Sequence, residues 1–358
     1  MQQPLRKRKS NNTSIKVRRI NRNSLPPHRE RLYKKFETKT GKTLVHRIKN
    51  IPVPNNNQIF AIEGWKNVTG SLFDRIYLHL FKVAEQKGYI VPDVTPIIEA
   101  STGNAGAAFA WCAKQLGYKD CTVITHADTP KARIKQIESY GAKVILSPKG
   151  QYAKGYVEML EDILRKDKEQ TGGKIGKNPR RMYCVTKINP EAKVPLRKLV
   201  FEVASKLGKK KVDYFICVVG SGTTISGIGE TLKEIYPKIK VIALEHESTD
   251  ALSKLKKGEI FNAEQLPHKL YASTPFGLPA EKLDINFDII DQIRKVSDND
   301  WKNGMRKLEK AENKPVGRSS GASLSVALQI ANEVVGKNIL IVFFDPKWKY
   351  SADYHGMK

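Results

Sequence analysis

Ser101-Thr102-Gly103-Asn104-Ala105-Gly106 is the stretch on which the reading of this chain turns. A short apolar run, Thr95-Pro96-Ile97-Ile98-Glu99-Ala100, precedes it. Ala107-Ala108-Phe109-Ala110-Trp111-Cys112-Ala113-Lys114-Gln115-Leu116-Gly117 follows, with helical composition and a terminal glycine. The order is strand, tight loop, helix. At the start of such a helix the backbone N–H groups lack intrahelical acceptors, and small residues let a ligand approach them. A second loop of this kind, Gly220-Ser221-Gly222-Thr223-Thr224, lies between a strand-like run at 213–219 and a helix expected over 225–236. Two such loops point to one anionic ligand held between two α/β halves, although either loop alone also suits a plain tight connection.

Outward from these loops the chain alternates regularly. Strands are expected at 58–63, 121–125, 143–146, 183–186, 240–244, 287–296 and 338–344. Helices are expected at 130–140, 152–168, 195–207, 299–312 and 320–335, and another follows Ser71, read as its N-cap, with Phe73, Ile76, Tyr77, Leu80 and Ala84 on one face. Repeated βα units predict parallel sheets with helices on both faces and ligands at the carboxyl ends of the strands. The 247–280 connection is too long for an ordinary turn and is a candidate cover for a site.

Composition narrows the function classes. A chain of 358 residues, 40% hydrophobic, can bury a large core in two lobes. Cys112, Cys121, Cys184 and Cys217 stand singly in apolar segments, which predicts reduced thiols and a cytoplasmic protein without zinc or disulfides. No apolar run approaches the roughly 20 residues that span a bilayer, so no membrane partner is expected. The histidines His46, His79, His126, His246 and His268 lack metal spacing, and no metal site is expected. The net charge is +27, and Arg6 to Lys35 holds about a dozen Lys and Arg against one acid, Glu30. That segment reads as a disordered arm, either for nucleic acid or simply solubilising.

Three motifs in register, Ser101-Thr102-Gly103-Asn104-Ala105-Gly106, Gly220-Ser221-Gly222-Thr223-Thr224 and Gly317-Arg318-Ser319-Ser320-Gly321-Ala322, resemble the fold-type II pyridoxal-phosphate enzymes. The Ser-Ser-Gly-Ala form and the ending Phe344-Asp345-Pro346 through Tyr350 look closest to the cysteine synthase and cystathionine β-synthase branch. The resemblance implies a tryptophan synthase β-like architecture: two α/β lobes with parallel sheets flanked by helices, and a cofactor cleft between them. Residues 1–40 would be the arm, 41–89 with 191–358 the larger lobe carrying the phosphate loop, and 90–190 the smaller lobe carrying the Asn104 loop. It further implies pyridoxal 5'-phosphate bound through Gly220, Ser221, Gly222, Thr223 and Thr224. Asn104 would meet the ring hydroxyl and Ser319 the pyridine nitrogen. A neutral serine there leaves the ring less electron-withdrawing, as suits β-elimination and replacement. Backbone N–H groups of Ser101, Thr102, Gly103, Asn104 and Ala105 would receive the substrate carboxylate.

Two departures stand out. Thr223 occupies a position that is usually glycine in the family. Asn67-Val68-Thr69-Gly70-Ser71-Leu72-Phe73-Asp74-Arg75 resembles the segment whose lysine forms the Schiff base, and that position is Phe73. Phenylalanine neither forms an imine nor carries the Cα proton. Lys66 is the nearest replacement amine, although a loop lysine is more often simply solvated. The expectation is a cysteine synthase-type protein acting on a serine-derived amino acid, its turnover feeble or gone, with the cofactor held non-covalently or lost. The rivals are a non-catalytic relative that binds a ligand or partner enzyme, and a nucleic-acid-associated protein using the arm. The expected partners are a small-molecule amino acid, a second copy forming a homodimer, and nucleic acid through the arm.

Overall fold

The computed structural model describes residues 24–41, 43–101, 103–259, 268–270, 273 and 283–351. The first helix, α1 (Pro27–Thr40), leads through β1 (Val45–Arg47) and β2 (Gln58–Glu63) to α2 (Phe73–Gln86). Then come β3 (Ile97–Ala100), α3 (Asn104–Leu116), β4 (Cys121–His126), α4 (Lys131–Ser139), β5 (Lys143–Ser147) and α5 (Tyr152–Thr171). After α6 (Lys193–Leu207) the alternation resumes with β6 (Tyr214–Val218), α7 (Thr223–Ile235), β7 (Lys240–His246) and α8 (Ala251–Lys256). The chain closes with β8 (Gln292–Val296), α9 (Asp298–Glu312), α10 (Arg318–Glu333) and β9 (Asn338–Phe343).

The strands form two sheets, β1-β2-β9-β6-β7-β8 and β3-β4-β5. All pairings are parallel except β1 with β2. Each central strand is apolar on both faces, as a sheet covered by helices on both sides requires. On β9, Leu340 and Val342 face one core while Ile339, Ile341 and Phe343 face the other; Phe215 and Cys217 on β6 alternate likewise with Ile216 and Val218. In the small sheet Ile97 and Val123 join the first of these cores, so one apolar body, threaded by α2 and α3, is common to both sheets. Its other face packs on α5 through Ile98 and Ile124.

Four expectations are corrected. The arm read as disordered through residue 40 ends in helix α1, whose Arg29, Tyr33, Phe36 and Thr40 are buried. The Arg29 Nε donates to Glu85 (2.9 Å), and Tyr33 and Tyr118 hydroxyls donate to the same carboxylate (2.7 and 3.0 Å), so this basic segment is tied to the core by a buried charge pair. Residues 1–23, the remainder of the arm, lie outside the described residues. The expected strand at 183–186 is a single bridge from Tyr183 to Ile97 followed by a 3-10 turn, Val185–Ala192; Pro190 has no N–H for a ladder. The 287–296 strand opens as a 3-10 turn because the Asn286 side chain accepts from Asp288 N (3.1 Å), and β8 begins only at Gln292. Ser71 does not cap α2: the N-cap is Leu72 with helical dihedrals, and the Ser71 hydroxyl is buried without a hydrogen-bond partner.

Candidate functional site

The carboxyl ends of β9, β6 and β3 carry the segments that build the site. Before α2, the 67–72 loop is folded on itself by its own residues. Asp74 accepts from Thr69 N (2.7 Å) and from the Thr69 hydroxyl, and Asn67 Nδ2 donates to Ser71 O (3.0 Å). Gln136 on α4 donates to Thr69 O (2.9 Å) and fixes the loop against the small sheet's helices. Asp74 is fully enclosed, and burial pushes its carboxyl up to about 6. Arg75 turns the other way, bonding both Glu202 oxygens on α6 (2.9 and 2.6 Å). These two residues anchor the loop on which the reactive lysine was expected, whereas Phe73 lies half-buried with its ring 6.4 Å from that of Tyr77. Lys66 is exposed, its amine 4.3 Å over the Trp65 ring.

A buried polar cluster sits beside this loop. The Asn104 amide, at the start of α3, donates from Nδ2 to Asp345 (2.9 Å) and accepts at Oδ1 from Lys349 Nζ (2.8 Å). Asp345 also receives Arg133 (2.9 Å) and the Tyr350 hydroxyl (3.0 Å), and its carbonyl accepts from Gly317 N (2.6 Å). Tyr350 is sandwiched between the guanidinium groups of Arg133 (4.6 Å) and Arg318 (4.7 Å). Gly317 has to be glycine here, because a Cβ would fall 2.0 Å from the Asp345 carboxylate. Lys349 is wholly enclosed. Burial lowers its amine to about 7, a fall increased by Arg133 and opposed by Asp345 and Asp74.

The Ser101 hydroxyl accepts from Gly106 N (3.0 Å) and Gly103 N (3.3 Å), so part of the anion-binding capacity expected of the 101–105 backbone is met internally. The N–H groups of Asn104 and Ala105, in the first turn of α3, have no acceptor within the helix. Thr102 lies outside the described residues. After β6, Gly220 and Ser221 are half-buried, and Gly222, at φ 98°, is the N-cap of α7, which opens with Thr223 and Thr224. That conformation favours glycine, and Ile285 stands so close that a Cβ would meet it at 2.3 Å. Asp284 N donates to Ser221 O (2.7 Å) and Ser226 Oγ donates to Asp284 O (2.8 Å), so the 284–286 segment walls one side of the loop. Lys193 is shared between Asp284 (3.2 Å) and Glu230 (3.0 Å). Ser319 is buried in the first turn of α10, and the adjacent Ser320 hydroxyl accepts from Phe344 N (3.1 Å).

Around the end of β9, then, the structure joins three of the quoted segments through Gly70, Asn104 and Gly317, with the fourth at the end of neighbouring β6. Sequence reasoning missed Arg133, Asp284 and, above all, Lys349. The last lay within a quoted stretch, and its signal was a lysine between two aromatic residues, Trp348 and Tyr350, just past an apolar strand. Among the described residues there is no cluster of metal-ligating side chains, and no helix is long and apolar enough to cross a membrane. All four cysteines are buried and none is in a disulfide.

Two glycine loops open helices at strand ends of parallel sheets, and the first of them, at Asn104, joins a buried polar cluster. The model of the pyridoxal-phosphate dependent enzyme family matches residues 37–345, and the chain belongs to that family. A cysteine synthase of Staphylococcus aureus is 31% identical over 309 residues, covering 84% of this chain and 90% of the relative. A probable cysteine synthase of Bacillus subtilis is 29% identical over 306 residues, with the same coverage. Among solved structures, a hydrogen sulfide-producing enzyme from Fusobacterium nucleatum superposes with a TM-score of 0.75 at 29% identity, covering 88% of this chain and 98% of that one. An O-acetylserine dependent cystathionine β-synthase from Helicobacter pylori gives 0.72 at 26% identity, with 89% and 97% covered.

The cofactor of this family is pyridoxal phosphate, and the residues present fit it. The start of α7 offers N–H donors and two threonine hydroxyls for a phosphate dianion. Asn104 offers an amide beside an amine, Ser319 is neutral and buried, and the Ser71 hydroxyl is left over on the loop before α2.

Proposed function

We propose that this protein binds pyridoxal phosphate and a small amino acid between the Asn104 and Gly220 loops and performs β-elimination or β-replacement on a serine-derived substrate. Turnover is slow because Phe73 stands where the family carries lysine. The observation that supports this reading is the joining of Gly70, Asn104 and Gly317 around Asp345 and Lys349. When bound, pyridoxal phosphate supplies the electron sink that lets an amino acid lose its Cα proton and β-substituent.

The chain's own residues do the rest. Gly220 to Thr224 hold the phosphate by backbone donors, and Asn104 orients the ring. The N–H groups of Asn104 and Ala105 take the substrate carboxylate. Ser319 keeps the ring nitrogen without a full charge partner. The enclosed Arg133–Asp345 pair excludes water from this end of the cleft. Phe73 moves no proton, which favours a second reading: a non-catalytic relative that keeps the ligand or a partner enzyme. The buried thiols of Cys112, Cys121 and Cys217, pushed up by desolvation, suit a reducing cytoplasm.

Thermal melting tests the binding step. Pyridoxal phosphate should raise the melting temperature, by an amount equivalent to about 2.7 kcal/mol at a concentration a hundred times Kd. Inorganic phosphate should do so more weakly. Thr224→Asp, which places a carboxylate beside the phosphate donors, should remove both shifts. A wild-type protein that neither ligand stabilises would contradict the proposal.

A further inference from the structure

Lys349 brings a buried amine to the loop whose family counterpart carries lysine. The family's amine would start from position 73 at the beginning of α2; Lys349 starts from the turn after β9, just beyond the family match, and packs against Gly70 of the same motif. Its Cε lies 3.3 Å from where a Cβ on Gly70 would stand, within the 67–75 motif, and its Nζ is 2.8 Å from Asn104 Oδ1, in the motif assigned to the cofactor ring. Full burial of an ammonium costs several kcal/mol unless charges compensate it. Asp345 and Asp74 favour the proton while Arg133 opposes it, and Tyr350 faces Asp345 from the same turn. The balance leaves an amine that is neutral over much of the range above pH 7, the form that is nucleophilic. Lys66, the other candidate, is exposed and turned onto Trp65.

We propose that Lys349 is the residue to which the aldehyde of pyridoxal phosphate attaches in this protein. The inference rests on the proposal that the cleft binds this cofactor. In the step itself, the neutral Nζ lone pair attacks the aldehyde carbon and a carbon–nitrogen bond forms. The carbonyl oxygen leaves as water with the two protons of the amine, giving a carbon–nitrogen double bond. Nothing is oxidised or reduced, and no co-reactant is needed. Relative to the family, the attachment point has moved from the start of α2 to the turn after β9, a change that leaves the phosphate loop and Asn104 in use.

The test uses the full chain, one equivalent of pyridoxal phosphate, borohydride reduction and a peptide map by mass spectrometry. The expected result is a reduced phosphopyridoxyl group on the peptide carrying Trp348-Lys349-Tyr350, in preference to every other lysine. The yield should rise with pH with a midpoint near 7, whereas an exposed lysine would titrate near about 10.4. Lys349→Met and Lys349→Arg should lose the label while pyridoxal phosphate still raises their melting temperature. The pH profile of the wild type tests the inference even if neither variant folds. Stabilisation by pyridoxal phosphate with no label, or with the label on Lys66 or another lysine, would overturn the assignment and leave the binding proposal standing. Neither stabilisation nor label would overturn both.

Discussion

Phe73→Lys is expected to gain a reducible attachment of pyridoxal phosphate at residue 73 and to raise β-elimination from a serine-derived amino acid by about 10² to 10⁴-fold, the usual worth of a positioned acid–base group. The ring of Phe73 is half-buried against Tyr77, so replacing it forfeits about 1 kcal/mol of apolar burial, which a folded domain of this size tolerates. In return an amine starts from the first turn of α2, on the loop that Asp74 and Asn67 hold in shape. Desolvation there favours its neutral form. Lys349 is proposed to anchor the cofactor, but it starts from the turn after β9, so position 73 itself supplies no carrier for the Cα proton. The check is turnover together with the reduced peptide map. A folded Phe73→Lys, Lys349→Met double variant with no label at residue 73 would show that 67–75 is not the segment that carries lysine in the family.

Asp345→Ala is expected to destabilise the protein by about 3–5 kcal/mol, the cost of stripping one partner from a buried ion pair. The carboxylate is enclosed and receives Arg133, Asn104 and Tyr350. Without it the guanidinium of Arg133 loses the buried carboxylate it is paired with, and Lys349 keeps Asp74 alone among the acids that favour its proton. Asp345→Asn, which can still accept from Tyr350, should lose less. Urea unfolding of the three proteins measures the difference, and a loss below about 1 kcal/mol for the alanine variant would mean that the cluster is solvated and weakly coupled.

How much of this was legible beforehand differs from element to element, for physical reasons. The loops at Gly103 and Gly222 were readable because each follows an apolar strand and opens a helix, a local pattern that needs no partner. The parallel sheets followed from strands apolar on both faces. Helix α1 was hidden by its charge: Arg29 reads as a solvated residue until Glu85, far along the chain, is seen to neutralise it in the core. Tyr183 looked like a strand residue by side chain, but the 3-10 turn that begins at Val185 ends the ladder after a single bridge.

The site divides in the same way. Asn104, Gly222 and Ser319 belong to local motifs. Arg133, Asp345 and Lys349 come from α4 and from the turn after β9, and what makes them informative is burial beside one another, which no spacing along the chain expresses. Gly321, quoted with the third motif, serves packing: a Cβ there would lie 2.3 Å from Trp301 O on α9. The 284–286 wall over the phosphate loop likewise belongs to a stretch whose role depends on Gly222 and Ser226.

The most direct test of the central claim, that these loops form one cofactor site in a chain without the lysine of its family, is a crystal structure of the protein grown with pyridoxal phosphate. The account predicts the phosphate at the N-terminus of α7, held by Gly220 to Thr224, and the ring beside Asn104. No cofactor at the start of α7 under saturating pyridoxal phosphate, or a cofactor bound away from Asn104, would contradict it.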